Sequence, residues 1–142
     1  MGAGKGGNFG KIGRFVDNLL DLLEKYGPLS PEGFFGVKSK DDVRHIISSD
    51  PLATMRDFVE TATKNASIKP LLNGKGIMVN FGDKFMLICR EISSSDGSPA
   101  VEIWTSIKTR NAKSTVEVEV SGKTFKIRYQ KIHFISNEKE GE

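Results

Sequence analysis

Apolar positions recur at helical spacing near the start of the chain. Ile12, Phe15, Val16, Leu19, Leu20 and Leu23 are three or four residues apart, and Gly27-Pro28 ends the run. A turn-rich connection from Leu29 to Lys38 carries Phe34 and Phe35. Ser39, with Asp42 in the first turn, predicts a second, short helix whose stripe is Val43, Ile46 and Ile47. Asp50 predicts an N-cap and Pro51 the first position of a third helix. Leu52, Met55, Phe58, Val59 and Ala62 form its apolar face, and Asn65 marks its end.

The period then changes from 3.6 to 2. Ile77, Val79 and Phe81 alternate with Met78 and Asn80, and Gly82-Asp83-Lys84 is a turn. Phe85 to Ile92 reads as a strand so apolar that it belongs inside a sheet. Ser93 to Pro99 is a polar loop; Val101, Ile103 and Thr105 alternate with Glu102 and Trp104. Val116, Val118 and Val120 alternate with Glu117 and Glu119, and Ser121-Gly122-Lys123 turns the chain into a last strand, Phe125 to Ile135. That strand changes parity. Phe125, Ile127 and Tyr129 share one face, Ile132 and Phe134 the other. A bulge near Gln130 returns Ile132 and Phe134 to the core and sends His133 to the open face with Lys126 and Arg128; the alternative is that the strand ends at Tyr129 and a separate edge strand follows.

Helices followed by strands on short turns predict an α+β fold. N-terminal helices pack on one face of a twisted four- to five-stranded antiparallel sheet, and the other face stays open. The division expected is a flexible linker over 1–10, one domain over 11–137 (helical part 11–66, sheet part 67–137) and a tail over 138–142. The linker, MGAGKGGNFG, has neither the apolar core of a signal peptide nor a GxxxxGK[ST] phosphate loop. A start methionine directly before it looks like the cut edge of a longer protein.

Composition narrows the chemistry. In 142 residues, 37% are apolar, 27% are charged, and no apolar run is long enough to span a membrane as a helix. A single cysteine, Cys89, excludes an internal disulfide, and its apolar strand marks it as a core thiol. Two histidines and no HExxH argue against a zinc enzyme, so neither a metal nor a cofactor is expected. The net charge of +3 is modest, but Lys108, Arg110, Lys113, Lys123, Lys126, Arg128 and Lys131 crowd the C-terminal third. They fit a solvated basic face as well as a surface for a polyanion.

His133, next to Lys131, can exchange a proton with a substrate hydroxyl, or simply bond a backbone carbonyl inside a strand. Arg90 precedes Ser93-Ser94-Ser95-Asp96-Gly97-Ser98, a loop able to cradle an anion or to be an ordinary polar hairpin. His45 reads as a surface or boundary residue of the second helix, and Trp104 as packing in preference to base stacking. No GxSxG marks a serine nucleophile.

The Gly-rich junction, the helices-then-sheet order, and Arg90 with Ser93–Ile103 beside Gln130-Lys131-Ile132-His133-Phe134 resemble the C-terminal toxin domains of bacterial polymorphic and contact-dependent growth-inhibition systems. Within them the layout looks like the barnase, EndoU, colicin and RelE-like ribonucleases. The resemblance implies metal-independent RNA cleavage, often of tRNA, by attack of the 2′-hydroxyl to leave a 2′,3′-cyclic phosphate. His133 is then the general acid or base, Lys131 and Arg90 stabilise the phosphorane, and Ser95 and Ser98 orient phosphate or nucleophile. Arg128, Lys126, Lys108, Arg110 and Trp104 contact flanking RNA. The chain departs from the EndoU pattern, since His45 lies in the half read as helical. Glu91 and Glu102 are its only candidates for a catalytic glutamate. The setting implied is a parent delivery protein, secretion or display at the cell surface, action in the cytoplasm of a target bacterium, and an acidic immunity protein in the producer. Two alternatives stay open: a non-catalytic RNA- or protein-binding module with a basic sheet face, and a toxin of another chemistry. The zinc signature of the nucleic-acid deaminases is absent.

Overall fold

The computed structural model describes residues 13–71, 74–105 and 114–136. A 3₁₀ turn, Phe15–Asn18, leads into α1, Leu19–Tyr26, which stops before Gly27-Pro28. The second helix of the chain, α2, is Pro51–Ala62; the Asp50 carboxylate accepts from the Ala53 amide at 3.2 Å, and Pro51 opens the first turn. The Asn18 amide donates to the Ala62 carbonyl at 2.8 Å and ties the two helices together. Among the described residues no helix is long and apolar enough to cross a membrane.

The strands are β1 Val37–Lys40, β2 Val43–Ser48, β3 Ser67–Pro70, β4 Ile77–Asn80, β5 Met86–Arg90, β6 Ala100–Trp104, β7 Thr115–Val120, β8 Lys123–Arg128 and β9 Gln130–Ser136. Seven of them form one mixed sheet in the order β1-β2-β9-β6-β5-β4-β3, and β7-β8 is a separate hairpin. Every pairing is antiparallel except β2 with β9. The helices cover one face, where Phe58 of α2 meets Phe134 of β9 at 5.7 Å between ring centroids and Phe35 at 5.4 Å. Leu87, Val101, Ile103 and Ile132 are fully buried on that face. The hairpin adds Ile127, also fully buried, and packs Phe125 and Val116 against the same core.

The α+β class holds, and the sheet is larger and differently built than expected. Residues 39–47 are not a helix. They form β1, β2 and the turn between them, where Asp41 takes a φ of 49°. The acidic pair Asp41-Asp42 is therefore a hairpin turn, and strands reach into the part read as helical. Arg44 points to the helix side, 7% exposed, donates to the carbonyls of Phe35 and Gly36 and lies 4.5 Å from the Phe34 ring centroid. A short edge strand, β3, also joins. In place of a bulge near Gln130 the chain breaks, as the alternative had it: β8 ends at Arg128, and β9 starts a separate strand, in the middle of the other sheet and not at its edge. Gln130 holds that break. It is fully buried, accepts from the Phe35 amide at 2.8 Å and donates to the carbonyls of Gly33 and Arg128. The break still carries Ile132 and Phe134 to the core and His133 to the face away from the helices. Lys126 and Arg128 stay behind in the hairpin.

Candidate functional site

Strand register builds one row of side chains on the face away from the helices. Val37 of β1 is opposite His45 of β2, His45 opposite His133 of β9, His133 opposite Ala100 of β6, and Ala100 opposite Arg90 of β5. Residues in register share a face, so the row reads Val37, His45, His133, Ala100, Arg90. Arg90 lies two strands from His133, roughly 10 Å between backbones, across a buried Ala100, and also lines the groove beside Gly76. The next row carries Lys131 opposite Glu102. Arg90, Lys131 and His133, expected as one cluster, thus share a face.

The two histidines face each other with ring centroids 6.3 Å apart and an interplanar angle of 80°. His45 is a half-buried boundary residue as expected, but of a strand and not a helix; the parallel β2–β9 pairing makes it the direct neighbour of His133. His133 is 4% exposed.

The 93–98 loop closes over His133. The Ser98 hydroxyl lies 2.7 Å from His133 Nδ1 and 2.6 Å from Asp96 Oδ1, and Asp96 Oδ1 is itself 3.3 Å from Nδ1. The Ser93 hydroxyl and the Ser98 amide both donate to Asp96 Oδ1 at 3.0 Å. Partial burial works to raise the Asp96 carboxyl, but these donors and the nearby imidazole outweigh it and hold the group well below the usual carboxylate range. Burial lowers the pKa of His133, and Lys131 and His45 push the same way, against the attraction of Asp96. The imidazole is therefore neutral at pH 7. Its Nε2 makes no hydrogen bond. Among the described residues the one buried side-chain polar atom without a partner is Trp104 Nε1, so the small exposed part of the His133 ring includes Nε2.

Ser98 and Asp96 engage the same ring nitrogen. A serine-hydrolase triad puts nucleophile and carboxylate on opposite nitrogens, so this cluster is no such triad. It presents an oriented imidazole whose second nitrogen makes no hydrogen bond and keeps a small exposed surface. Nothing in the sequence singles out Asp96, because Asp-Gly is among the commonest turn dipeptides.

The remaining candidates scatter. Ser95 is exposed in the loop, and Ser93, not Ser95, holds Asp96. Lys131 is half-buried, with its amide bonded to the Asp42 carbonyl. Glu102 accepts from the Tyr129 hydroxyl, whose pKa burial and that carboxylate drive well above its ordinary value. Trp104 packs edge-on against Tyr129 at 4.8 Å. Glu91 pairs with Arg56 at 2.7 Å in solvent, away from the row. Arg128 pairs with Asp42 at 3.3 Å, and Lys126 lies opposite Glu117 in the hairpin, so neither joins the row. Lys108 and Arg110 lie outside the described residues, as do the proposed linker and tail. Burial pushes the Cys89 thiol up to about 12, which keeps it an unreactive core thiol.

A groove of about 950 Å³ runs between α2, the turn at Gly76 and the end of β5, with Met55, Val59 and Ile92 in its lining. It is mainly apolar, and Arg90 lines it together with Arg56, Glu60, Lys75 and Glu91. Compared with protein-family models, curated proteins and solved structures, the chain matches none.

Proposed function

We propose that this chain is a metal-independent endoribonuclease whose site is the His45–His133 row. One observation carries the reading: two imidazoles in register on adjacent strands, one with an Nε2 that makes no hydrogen bond, with Lys131 near His133 and Arg90 on the same face two strands away. Cleaving RNA through its own 2′-hydroxyl needs two proton transfers. One group takes the proton as O2′ bonds to phosphorus, and another gives a proton to O5′ as the P–O5′ bond breaks. The products are a 2′,3′-cyclic phosphate and a free 5′-hydroxyl. Rings 6.3 Å apart leave no space for a phosphate between them. It would sit astride the pair on the solvent side, within the hydrogen-bond reach of about 2.6–3.2 Å that proton transfer requires. Lys131 and Arg90 then meet the charge that builds on the phosphoryl oxygens.

The resemblance to toxin domains gives this activity a setting: delivery into a neighbouring bacterium as part of a larger protein, countered in the producer by an acidic immunity protein. The test is incubation of purified protein with total RNA in EDTA. Cyclic-phosphate ends are expected, and single His45→Ala or His133→Ala substitutions each lower kcat/KM by about 10²–10⁴. The double variant is expected to be little worse than either, because the two act as a unit. RNA that stays intact while still binding would favour the binding-module reading.

A further inference from the structure

We infer that the Asp96–Ser98 turn is a tautomer clamp that makes His133 the general base and His45 the general acid. This rests on the ribonuclease reading. Asp96 is ionised and accepts only. The Ser98 hydroxyl owns one proton and faces two acceptor-capable atoms, Asp96 Oδ1 at 2.6 Å and His133 Nδ1 at 2.7 Å. If that proton went to Nδ1, the hydroxyl lone pairs would face a carboxylate oxygen with nothing between them. If it goes to Asp96, Nδ1–H donates to the Ser98 oxygen and every contact is a hydrogen bond. The neutral ring must then carry its proton on Nδ1, leaving a lone pair on the open Nε2. Such a ring can only accept from substrate.

His133 Nε2 therefore takes the 2′-hydroxyl proton, and Asp96 stabilises the imidazolium that forms. The proton for O5′ must come from the neighbouring imidazole, His45. The charged and titratable groups around His133 are Asp96 on the covering loop, Lys131 on its own strand, His45 on β2, and Glu102 and Arg90 across β6 and β5. Of the groups that shift its titration, Asp96 alone favours the protonated ring. Asp96 is a positioning residue: it acts through His133 and need not touch RNA.

The experiment is imidazole ¹⁵N NMR of the whole chain without RNA at pH 7.5, together with pH profiles of kcat/KM on a short RNA. The wild-type His133 is expected to show Nδ1 protonated and Nε2 bare. Asp96→Asn, whose amide can donate toward the ring, is expected to raise the Nε2–H population. It is also expected to shift the ascending limb of the profile to lower pH and to cut kcat by about 10²–10⁴ with little change in KM. Ser98→Ala lets Nδ1–H meet Asp96 directly, so the tautomer persists and the loss stays under about tenfold. The ascending limb disappears in His133→Ala and the descending limb in His45→Ala. A wild-type ring protonated on Nε2 overturns the clamp whether or not RNA is cut. Limbs assigned the other way round overturn the roles. A profile unmoved by Asp96→Asn reduces the turn to a structural contact. Intact RNA with the Nδ1–H tautomer in place sinks the ribonuclease reading, and the base assignment with it, while the hydrogen-bond assignment stands.

Discussion

At the scale of residues, the site is half legible in the sequence. His133, Lys131 and Arg90 stand out because cations beside an imidazole are chemically conspicuous in any sequence. His45 and Asp96 do not, because each gains meaning from a partner 88 and 37 positions away along the chain. Burial of His133 also has a consequence for stability. The ring is held neutral in the fold, and a free histidine in the unfolded chain protonates near pH 6.5. Below that pH the unfolded state binds a proton that the folded state refuses, so stability falls as the solution is acidified through about 6.5 toward the folded value. Urea midpoints at pH 8 and pH 5.5 should differ in this direction, and His133→Gln should flatten the difference. A midpoint as pH-dependent in His133→Gln as in the wild type would show that other groups carry the effect. The loss from Asp96 comes at lower pH still, beginning where an ordinary carboxylate in the unfolded chain protonates and continuing well below that range.

At the scale of elements, α1, α2 and the strands from Ile77 to Val120 follow from periodicity and caps; the division of 125–135 between two sheets, the edge strand β3 and residues 39–48 do not. Val43, Ile46 and Ile47 fall at helical spacing by coincidence, and β2 buries a charged Arg44 while exposing Ile47, which leaves no clean alternation to read. A parallel partner is always remote in sequence, so local pattern could not announce β2. Gly36 is what allows β1 to lie there. Its φ is +68°, and a Cβ would come within 2.4 Å of the His45 carbonyl oxygen. Gly36→Ala should cost about 1–3 kcal/mol from the backbone conformation alone, more once the clash is added, and should depress RNA cleavage by displacing His45. Gly122 is the control, with a φ of +80° and nothing within 4 Å of the position a Cβ would take. Gly122→Ala should lose stability without losing kcat. Equal effects of the two on cleavage would mean that β1 does not support His45.

At the scale of the whole molecule, a net charge of +3 is too small to pull RNA over the entire surface. The basic cluster visible in the sequence is divided by the fold: Arg128 is committed to Asp42, Lys126 faces Glu117, and Lys131 lies near His133, while Arg90, outside that cluster, shares the face two strands away. RNA binding should therefore carry a shallow salt dependence. Two phosphate contacts on a single strand give a slope of log K against log salt of about −1.4, and each loses about 0.7 when removed. With an oligonucleotide made uncleavable by a 2′-deoxy sugar at the scissile position, Lys131→Ala or Arg90→Ala should bring the slope to about −0.7, and Lys126→Ala and Arg128→Ala should leave it unchanged. A slope that responds to the hairpin cations instead would move the RNA off the histidine row, and a footprint that far from His45 and His133 could not place a phosphate within reach of either ring.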